Sequence, residues 1–243
     1  MPILELQNLT KSFSGIKAVH DLSFKFSGGK ITGLIGPNGS GKTTLINVLT
    51  GLLPIDSGLI IINGEKLSKI LPHETPTLGL TRTFQNVRLF NQITVLDNLL
   101  LVLTDKGPIK TLRPHLGIIA QNKADEILHQ IQLYEKRHNL AGDLSYGQRK
   151  LLEIGRALAT DTHIYLFDEP FAGLFPEMAK IVEAILKNLR ANGKTIILVE
   201  HNMTLIRELC DEVVVLNEGK LLAAGTPGQV LSKKEVLDAY LGE

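Results

Sequence analysis

Residues 36–44 have the sequence Gly36-Pro37-Asn38-Gly39-Ser40-Gly41-Lys42-Thr43-Thr44. This stretch fits the phosphate-binding loop pattern G-x-x-x-x-G-K-[ST] at every fixed position. The short apolar run Ile31–Ile35 precedes it as a candidate buried strand, and a helical pattern that ends near Gly51 follows it. Strand, glycine loop and helix in this order let backbone N–H groups surround phosphate oxygens. A glycine-rich turn with a surface lysine would not account for this context.

The last residues of the loop carry side chains with a specific chemistry. In this pattern Lys42 is expected to reach the β- and γ-phosphates of a nucleotide. The hydroxyl of Thr43 is expected to hold Mg²⁺, which prefers oxygen ligands. The loop alone therefore predicts a nucleotide site.

The bulk composition restricts the possible partners and surroundings of the chain. Its 243 residues include 26 Lys and Arg against 25 Asp and Glu, so the net charge of +1 argues against a nucleic-acid partner. The single cysteine, Cys210, excludes an internal disulfide and suits a reducing compartment. No apolar run approaches the roughly 20 residues of a membrane span. We therefore expect a cytoplasmic protein, or one held peripherally at a membrane by a partner.

Two adjacent carboxylates follow a second apolar run. Ile164–Phe167 is a candidate buried strand, and Asp168 and Glu169 come directly after it. Charges at such a position are costly unless they face a metal ion or a polar site. Beside a phosphate loop, Asp168 can hold Mg²⁺ and Glu169 can polarise an attacking water. Two acids that merely cap the next helix would give the same local pattern.

Two further features gain meaning only from their neighbours. Ser145 and Gln148 match a capping box, so the following helix offers free N–H groups and a second anion site, or it is an ordinary capped helix. His201 follows the apolar run Thr195–Val199, at the end of a strand where parallel sheets bind ligands. Phe13 lies in a polar turn, either as a core residue or as a flat surface for a base.

The remaining pattern outlines the secondary structure. Residues 3–30 are predicted to form a small antiparallel sheet, and Asn63-Gly64 indicates a hairpin. Residues 65–80 and 104–117 are predicted to be loops. Helices are predicted at 95–103, 122–137 and 176–191, and a closing hairpin at 213–224.

Taken in order, the motifs resemble those of the nucleotide-binding subunit of an ABC transporter, and the resemblance covers essentially the whole chain. They are Gly36–Thr44, Gln85, Leu144–Gln148, Asp168-Glu169 and His201. The resemblance implies a single α/β nucleotide-binding domain, residues 1–243, with an N-terminal antiparallel β subdomain. Its P-loop core, with a mostly parallel sheet, would comprise residues 1–85 and 160–243. Residues 86–159 would form an inserted helical subdomain that contains the signature motif.

The resemblance also implies roles for these residues. ATP would lie between two subunits, either two copies or a paralogue pair, and Phe13 would stack on adenine. One subunit would supply the whole loop 36–44 for the phosphates, with Lys42 and His201 at the γ-phosphate and Glu169 as catalytic base. Mg²⁺ would be held by Thr43, Gln85 and Asp168. The other subunit would supply Ser145, Gly147 and Gln148. Transmembrane permease subunits would anchor the dimer on the cytoplasmic face of the inner membrane.

Within the family, two groups share features with this chain. Thr81–Asn86 and the Ser-Tyr-Gly-Gln form of the signature are similar to the branched-chain amino-acid uptake ATPases. Glu169–Leu174 is also similar to lipopolysaccharide-export ATPases. Phe175 departs from the family, which has Asp or Asn there, and this puts a cross-subunit hydrogen bond in doubt. A soluble ABC ATPase of translation or DNA repair and a non-catalytic nucleotide-gated subunit would share the same nucleotide motifs.

Overall fold

The structure, a computed structural model, describes residues 2–84, 87–104 and 114–241. The chain divides into two compact units. Unit 1 comprises residues 1–82, 163–169 and 187–243, and unit 2 comprises residues 83–162 and 170–186. Gln85 and Asn86 lie outside the described residues.

Unit 1 contains a four-stranded antiparallel sheet with the strand order β2-β1-β4-β5. Its strands are β1 (Pro2–Phe13), β2 (Ile16–Ser27), β4 (Ser57–Ile62) and β5 (Glu65–Leu67). Leu4, Leu6 and Leu9 of β1 are fully or almost fully buried, which fits a sheet with one face on the core. The antiparallel N-terminal sheet and the hairpin at Asn63-Gly64 are confirmed. The predicted loop 65–80 is wrong at both ends, because it contains β5 and Leu80, the first residue of the strand β6 (Leu80–Arg82).

The second sheet of unit 1 has six strands in the order β10-β9-β3-β8-β7-β6. They are β3 (Ile31–Ile35), β6 (Leu80–Arg82), β7 (Ile164–Asp168), β8 (Thr195–Val199), β9 (Glu212–Asn217) and β10 (Lys220–Gly225). All neighbours pair in parallel except β9 and β10. Every residue of β3, β7 and β8 is buried. Both faces of the central strands are covered, so their sequences are continuous apolar runs.

The carboxyl ends of these parallel strands carry the candidate chemistry. The phosphate loop follows β3, Asp168 ends β7 and Glu169 follows it, and His201 comes shortly after β8. Carboxyl ends of parallel strands lie along one edge of a sheet, where ligands bind. Helix α1 (Lys42–Leu49) begins at that edge. The fold of unit 1 therefore brings these residues together although up to 165 positions separate them.

Unit 2 consists mainly of helices. They are α2 (Val95–Leu103), α3 (Pro114–Gln130), α4 (Tyr146–Thr160) and the part of α5 (Pro176–Ala191) that ends at residue 186. Thr94 caps α2 by accepting a hydrogen bond from the Asp97 N–H at 3.0 Å, as the sequence predicts. Unit 1 also contains the short helices α6 (Met203–Leu209), α7 (Pro227–Val230) and α8 (Lys234–Leu241).

The bounds predicted for the helix at 122–137, which is α3 of the structure, are wrong at both ends. It begins at Pro114, inside the expected loop, because proline needs no N–H partner in a first helical turn. It ends at Gln130 rather than 137. Gln132 adopts a left-handed φ of 55°, and the N–H of Leu133 bonds back to the carbonyl of Leu128, which closes the helix. Residues 105–113 of the expected loop lie outside the described part of the chain.

Within residues 2–84, 87–104 and 114–241, no helix has both the length and the apolar character that crossing a membrane requires.

Candidate nucleotide site

The phosphate loop is packed backbone against backbone. Gly36 has φ 149° and Gly41 has φ 102°, and both dihedrals favour glycine. A Cβ atom on Gly36 would lie 2.1 Å from the carbonyl oxygen of Leu216, and one on Gly41 would lie 2.2 Å from that of Ala18. Side chains are therefore excluded at both ends of the loop, and the backbone is forced into the curved path that can surround a phosphate.

Lys42 lies inside this curve. Its Nζ donates to the carbonyl oxygens of Gly36 at 2.6 Å and Pro37 at 2.9 Å, and the residue is 7% exposed. Asn38 and Gly39 are exposed at the outer side of the loop, and a Cβ on Gly39 would meet no atom within 4 Å. An ammonium held at the mouth of an open glycine cradle fits the phosphates of a nucleotide. Ser40 is buried, and its carbonyl accepts from the N–H of Gly219.

The candidate metal ligands supply hard oxygen atoms. The residue Thr43 is exposed in the first turn of α1, and Asp168 is 4% exposed at the end of β7. Hydroxyl and carboxylate oxygens suit Mg²⁺, which takes few protein ligands and completes its shell with phosphates and water. The residues present therefore fit the ion. The third expected ligand, Gln85, lies outside the described residues.

Sequence reasoning missed the residue that holds Asp168. The guanidinium of Arg82, at the end of β6, donates to Asp168 Oδ2 at 2.9 Å. It also donates to Asn47 Oδ1 at 2.6 Å. The available signal was a charged residue at the end of a short strand in the Thr81–Asn86 stretch, but the pairing itself depends on the order of strands in the sheet.

Glu169 and His201 form a second polar pair. Glu169 Oε1 lies 3.0 Å from His201 Nε2, and their side chains are 20% and 45% exposed. Glu169 adopts a left-handed φ of 50°, and its N–H donates to the carbonyl of Val199 at 3.0 Å. The strand end therefore turns sharply after Asp168, and Glu169 leaves β7 beside the residue that follows β8. A carboxylate and an imidazole in contact can orient and deprotonate a water molecule.

Phe13 lies at the end of β1, in the turn before β2. It is 44% exposed, and Lys11 Nζ lies 5.5 Å from the centre of its ring. Lys11 also pairs with Asp56 at 2.7 Å, which fixes the lysine. The ring is therefore a supported surface rather than a core residue, and it is open to a flat ligand.

In unit 2 the signature segment begins helix α4 as expected. Ser145 Oγ accepts from the Gln148 N–H at 3.4 Å, and Gln148 Oε1 accepts from the Ser145 N–H at 3.1 Å. This is the predicted capping box. Gly147 is buried, and a Cβ there would lie 2.4 Å from the sulfur of Met178. Lys150, which sequence reasoning missed, is 2% exposed and donates to the carbonyl of Ala172 at 3.2 Å.

Unit 2 also holds the backbone on either side of Gln85. Glu153 Oε1 accepts from the N–H groups of Phe84 at 3.1 Å and Arg88 at 3.4 Å. Burial raises the pKa of Glu153 from its ordinary value to about 7, and the two backbone donors only partly oppose this. Its Oε2 is buried and has no hydrogen-bond partner within the described chain. Burial therefore favours the protonated form of this carboxyl.

This pKa predicts a pH-dependent stability. The folded protein binds the Glu153 proton more tightly than the unfolded chain does, so the contribution to stability is present below the unfolded value and is lost as pH rises toward about 7. Glu153→Gln keeps the backbone acceptor and cannot ionise. The free energy of unfolding of the variant, relative to that of wild type, is expected to rise by about 2.5 kcal/mol from pH 5 to pH 8. Urea unfolding at both pH values measures this, with Glu126→Gln, an exposed position of the same unit, as control. If the difference in free energy of unfolding between variant and wild type were the same at pH 5 and pH 8, the raised pKa of Glu153 would be contradicted.

Comparison with known proteins identifies the family. The model described as "ABC transporter" matches residues 19–172. This chain belongs to the ABC transporter family. It is 38% identical to the high-affinity branched-chain amino acid transport ATP-binding protein BraF of Pseudomonas aeruginosa, covering 100% of this chain and 98% of that protein. It is 37% identical to the lipopolysaccharide export system ATP-binding protein LptB of Haemophilus influenzae, with the same coverage.

Solved structures agree with this membership. An ATP-binding cassette of an ABC transporter in its ADP conformation has a TM-score of 0.86 and 35% identity, and the match covers 100% of both chains. A dimeric cassette in a post-hydrolysis state, bound to ADP and Pi, has a TM-score of 0.80 and 25% identity, with 92% of this chain and 98% of that one covered. The chain is thus an ATP-binding subunit of an ABC transporter and an ATPase, as the sequence predicts, with the ABC ATPase α/β fold.

Proposed function

We propose that this ATPase drives the uptake of branched-chain amino acids as part of an ABC importer. Full-length similarity to BraF at 38% identity is the observation that carries this proposal. The Thr81–Asn86 stretch supports it, since it is similar to that of the uptake group. The 37% identity to LptB favours a second candidate, the energising of lipopolysaccharide export. The two candidates share the same ATPase chemistry and differ in the permease that they drive.

We propose the following roles at the nucleotide. The loop 36–44 binds the phosphates through its N–H groups, including that of Thr44, and Lys42 exchanges the carbonyls of Gly36 and Pro37 for phosphate oxygens. Phe13 stacks on the adenine. Thr43, Gln85 and Asp168 hold Mg²⁺, which when bound would neutralise charge that develops on the phosphate oxygens. Glu169 takes a proton from the attacking water, and His201, in contact with Glu169, orients both this carboxylate and the γ-phosphate.

The proposed assembly is a dimer with ATP at the interface. The capped start of α4, with Ser145, Gly147 and Gln148, lies in unit 2 and is a helix N-terminus of the kind that can bind an anion. We propose that it binds the ATP held by the loop of the other subunit, as part of an inserted helical subdomain at 86–159 between P-loop core segments 1–85 and 160–243. The dimeric cassette that this chain resembles supports this arrangement. Permease subunits would hold the dimer at the cytoplasmic face of the inner membrane.

Isolation of the complex tests the transporter proposal. We would purify the tagged chain from detergent-solubilised membranes of its own organism and identify bound proteins by mass spectrometry. Multi-span membrane proteins at fixed stoichiometry are expected, and a second ATPase among them would indicate a heterodimer. Only soluble, ribosomal or DNA-associated partners would contradict it.

Leucine uptake separates the two substrate candidates. A deletion strain is expected to lose high-affinity uptake of radiolabelled leucine and to regain it with the wild-type gene but not with a Glu169→Gln version. Normal leucine uptake in the deletion strain, together with a loss of lipopolysaccharide at the cell surface, would favour the export role instead.

A single substitution in the phosphate loop provides a negative control for ATP hydrolysis. Lys42→Ala removes the ammonium from the phosphate loop, and we expect steady-state phosphate release to fall to background. Lys194→Ala, directly before β8 at the amino end of that strand, should retain wild-type release. Equal release by Lys42→Ala and wild type would show that the activity does not come from this site.

A further inference from the structure

Arg82 joins the acidic end of β7 to the helix that follows the phosphate loop. Its Nη2 donates to Asp168 Oδ2 at 2.9 Å. Its Nη1 donates to Asn47 Oδ1 at 2.6 Å and lies 3.3 Å from Thr50 Oγ1. A single guanidinium therefore bridges two elements that would both contribute to the metal site.

The place of these contacts on α1 is specific. Thr43 and Asn47 are four positions apart on α1, so they lie on one helical face, and Thr50 is the residue that caps the end of this helix. The face that presents the Thr43 hydroxyl is thus the face that Arg82 binds. Fixing Asn47 to Asp168 through Arg82 fixes the spacing between the two candidate ligands, Thr43 and Asp168.

Burial makes the bridge strong and its replacement difficult. The side chains of Arg82 and Asp168 are 7% and 5% exposed, so water screens their attraction little. Removing one partner of a buried ion pair leaves the other charge uncompensated, which is costly. Arginine presents a planar fork that serves Asn47 and Asp168 at once, whereas lysine offers one nitrogen atom.

We propose that Arg82 is a positioning residue for the Mg²⁺ site, which holds the Asp168 carboxylate at a fixed distance from Thr43. This inference rests on the function proposed above, in which Thr43 and Asp168 are Mg²⁺ ligands. Partners that orient metal ligands commonly contribute 10–100-fold to metal affinity or activity. Arg82 should therefore control how much Mg²⁺ strengthens nucleotide binding.

The measured quantity is the magnesium gain, defined as the Kd of a fluorescent ATP analogue in EDTA divided by its Kd in Mg²⁺. We expect Arg82→Met to lower this gain by at least tenfold and Arg82→Lys to lower it by less. A residue that served only folding would change both Kd values together and leave the ratio as in wild type. An unchanged ratio in Arg82→Met would overturn the proposal.

A double-mutant cycle tests whether Arg82 acts through Asp168. Asp168→Asn should lower the magnesium gain, and adding Arg82→Met to it should lower the gain no further, because both changes act on one carboxylate. If the fold-reductions in magnesium gain caused by the two substitutions multiplied in the double variant, the proposal would be overturned. If Arg82→Met alone does not fold, the double variant, which removes both charges, and Asn47→Ala provide the same test. Asn47→Ala should lower the gain severalfold.

Arg190→Met is the matched control, since Arg190 pairs with Asp211 at a half-exposed position of unit 1. Its magnesium gain should equal that of wild type. If wild type itself shows no magnesium gain, the proposed metal site fails, and the inference about Arg82 fails with it. If wild type shows the gain and Arg82→Met keeps it, the metal site stands and only the role of Arg82 is overturned.

Discussion

Replacing Glu169 by glutamine is expected to leave ATP binding intact and to lower the rate of hydrolysis by about 10²- to 10⁴-fold, the usual contribution of a general base. Glu169 Oε1 contacts His201 Nε2 at 3.0 Å, so the carboxylate is already oriented. The amide has nearly the same shape and keeps an acceptor oxygen, but it cannot take a proton from water. Binding and chemistry should therefore separate in this variant.

Three measurements check this result. Phosphate release should fall, while the Kd of a fluorescent ATP analogue stays within about twofold of wild type. The variant should also accumulate as a dimer with ATP on size-exclusion chromatography, because ATP that is not hydrolysed keeps the proposed interface closed. Glu208→Gln, at an exposed position of α6, is the matched control and should hydrolyse ATP normally. Near-wild-type turnover by Glu169→Gln would remove Glu169 as the base.

The turn at Glu169 adds a constraint that side-chain chemistry alone would not suggest. A left-handed φ of 50° is uncommon for a residue that is not glycine and costs of order 1 kcal/mol or more. The hydrogen bond from its N–H to Val199 compensates part of this cost. Backbone strain of this kind is frequent at sites where a side chain must be held in a particular direction. The position therefore supports a functional role for the residue.

The elements that sequence reasoning predicted well share one physical property. Strands such as Ile31–Ile35 and Thr195–Val199 are buried on both faces, so their sequences are short continuous apolar runs with clear ends. Helix α5 begins at a proline and ends close to Gly193, and its predicted bounds are confirmed. Local sequence determines such elements. Because their ends are clear in the sequence, the phosphate loop and His201, which follow two of these strands, could be located from the sequence as well.

The features that were missed depend on contacts between distant parts of the chain. Arg82 meets Asp168 because β6 pairs with β7, although 81 residues lie between those strands. The buried ammonium of Lys150 donates a hydrogen bond to the carbonyl of Ala172, whereas its sequence neighbours suggest only a surface lysine. The start of α3 at Pro114 was missed because proline is common in loops, whereas it is equally compatible with a first helical turn.

Gly41→Ala is expected to weaken nucleotide binding strongly and to destabilise the fold, because the loop has no room for a methyl group. The added Cβ would lie 2.2 Å from the carbonyl oxygen of Ala18, and φ at this position is 102°. Relief would require β2 and the start of α1 to separate, which would move the Lys42 ammonium and the loop N–H groups. We expect the affinity for a fluorescent ATP analogue to fall at least 100-fold, a loss of about 2.7 kcal/mol.

Gly39→Ala is the matched control, because its Cβ would meet no atom within 4 Å although φ is 75°. It should lose only the cost of a left-handed alanine, about 1–2 kcal/mol of folding stability. Thermal unfolding of both variants, together with circular dichroism to confirm folding before binding is measured, separates the two effects. Equal stability of the two variants would show that the close approach of Gly41 to Ala18 does not determine the shape of the loop. A folded Gly41→Ala protein with normal affinity would show that this shape is not what binds the phosphates.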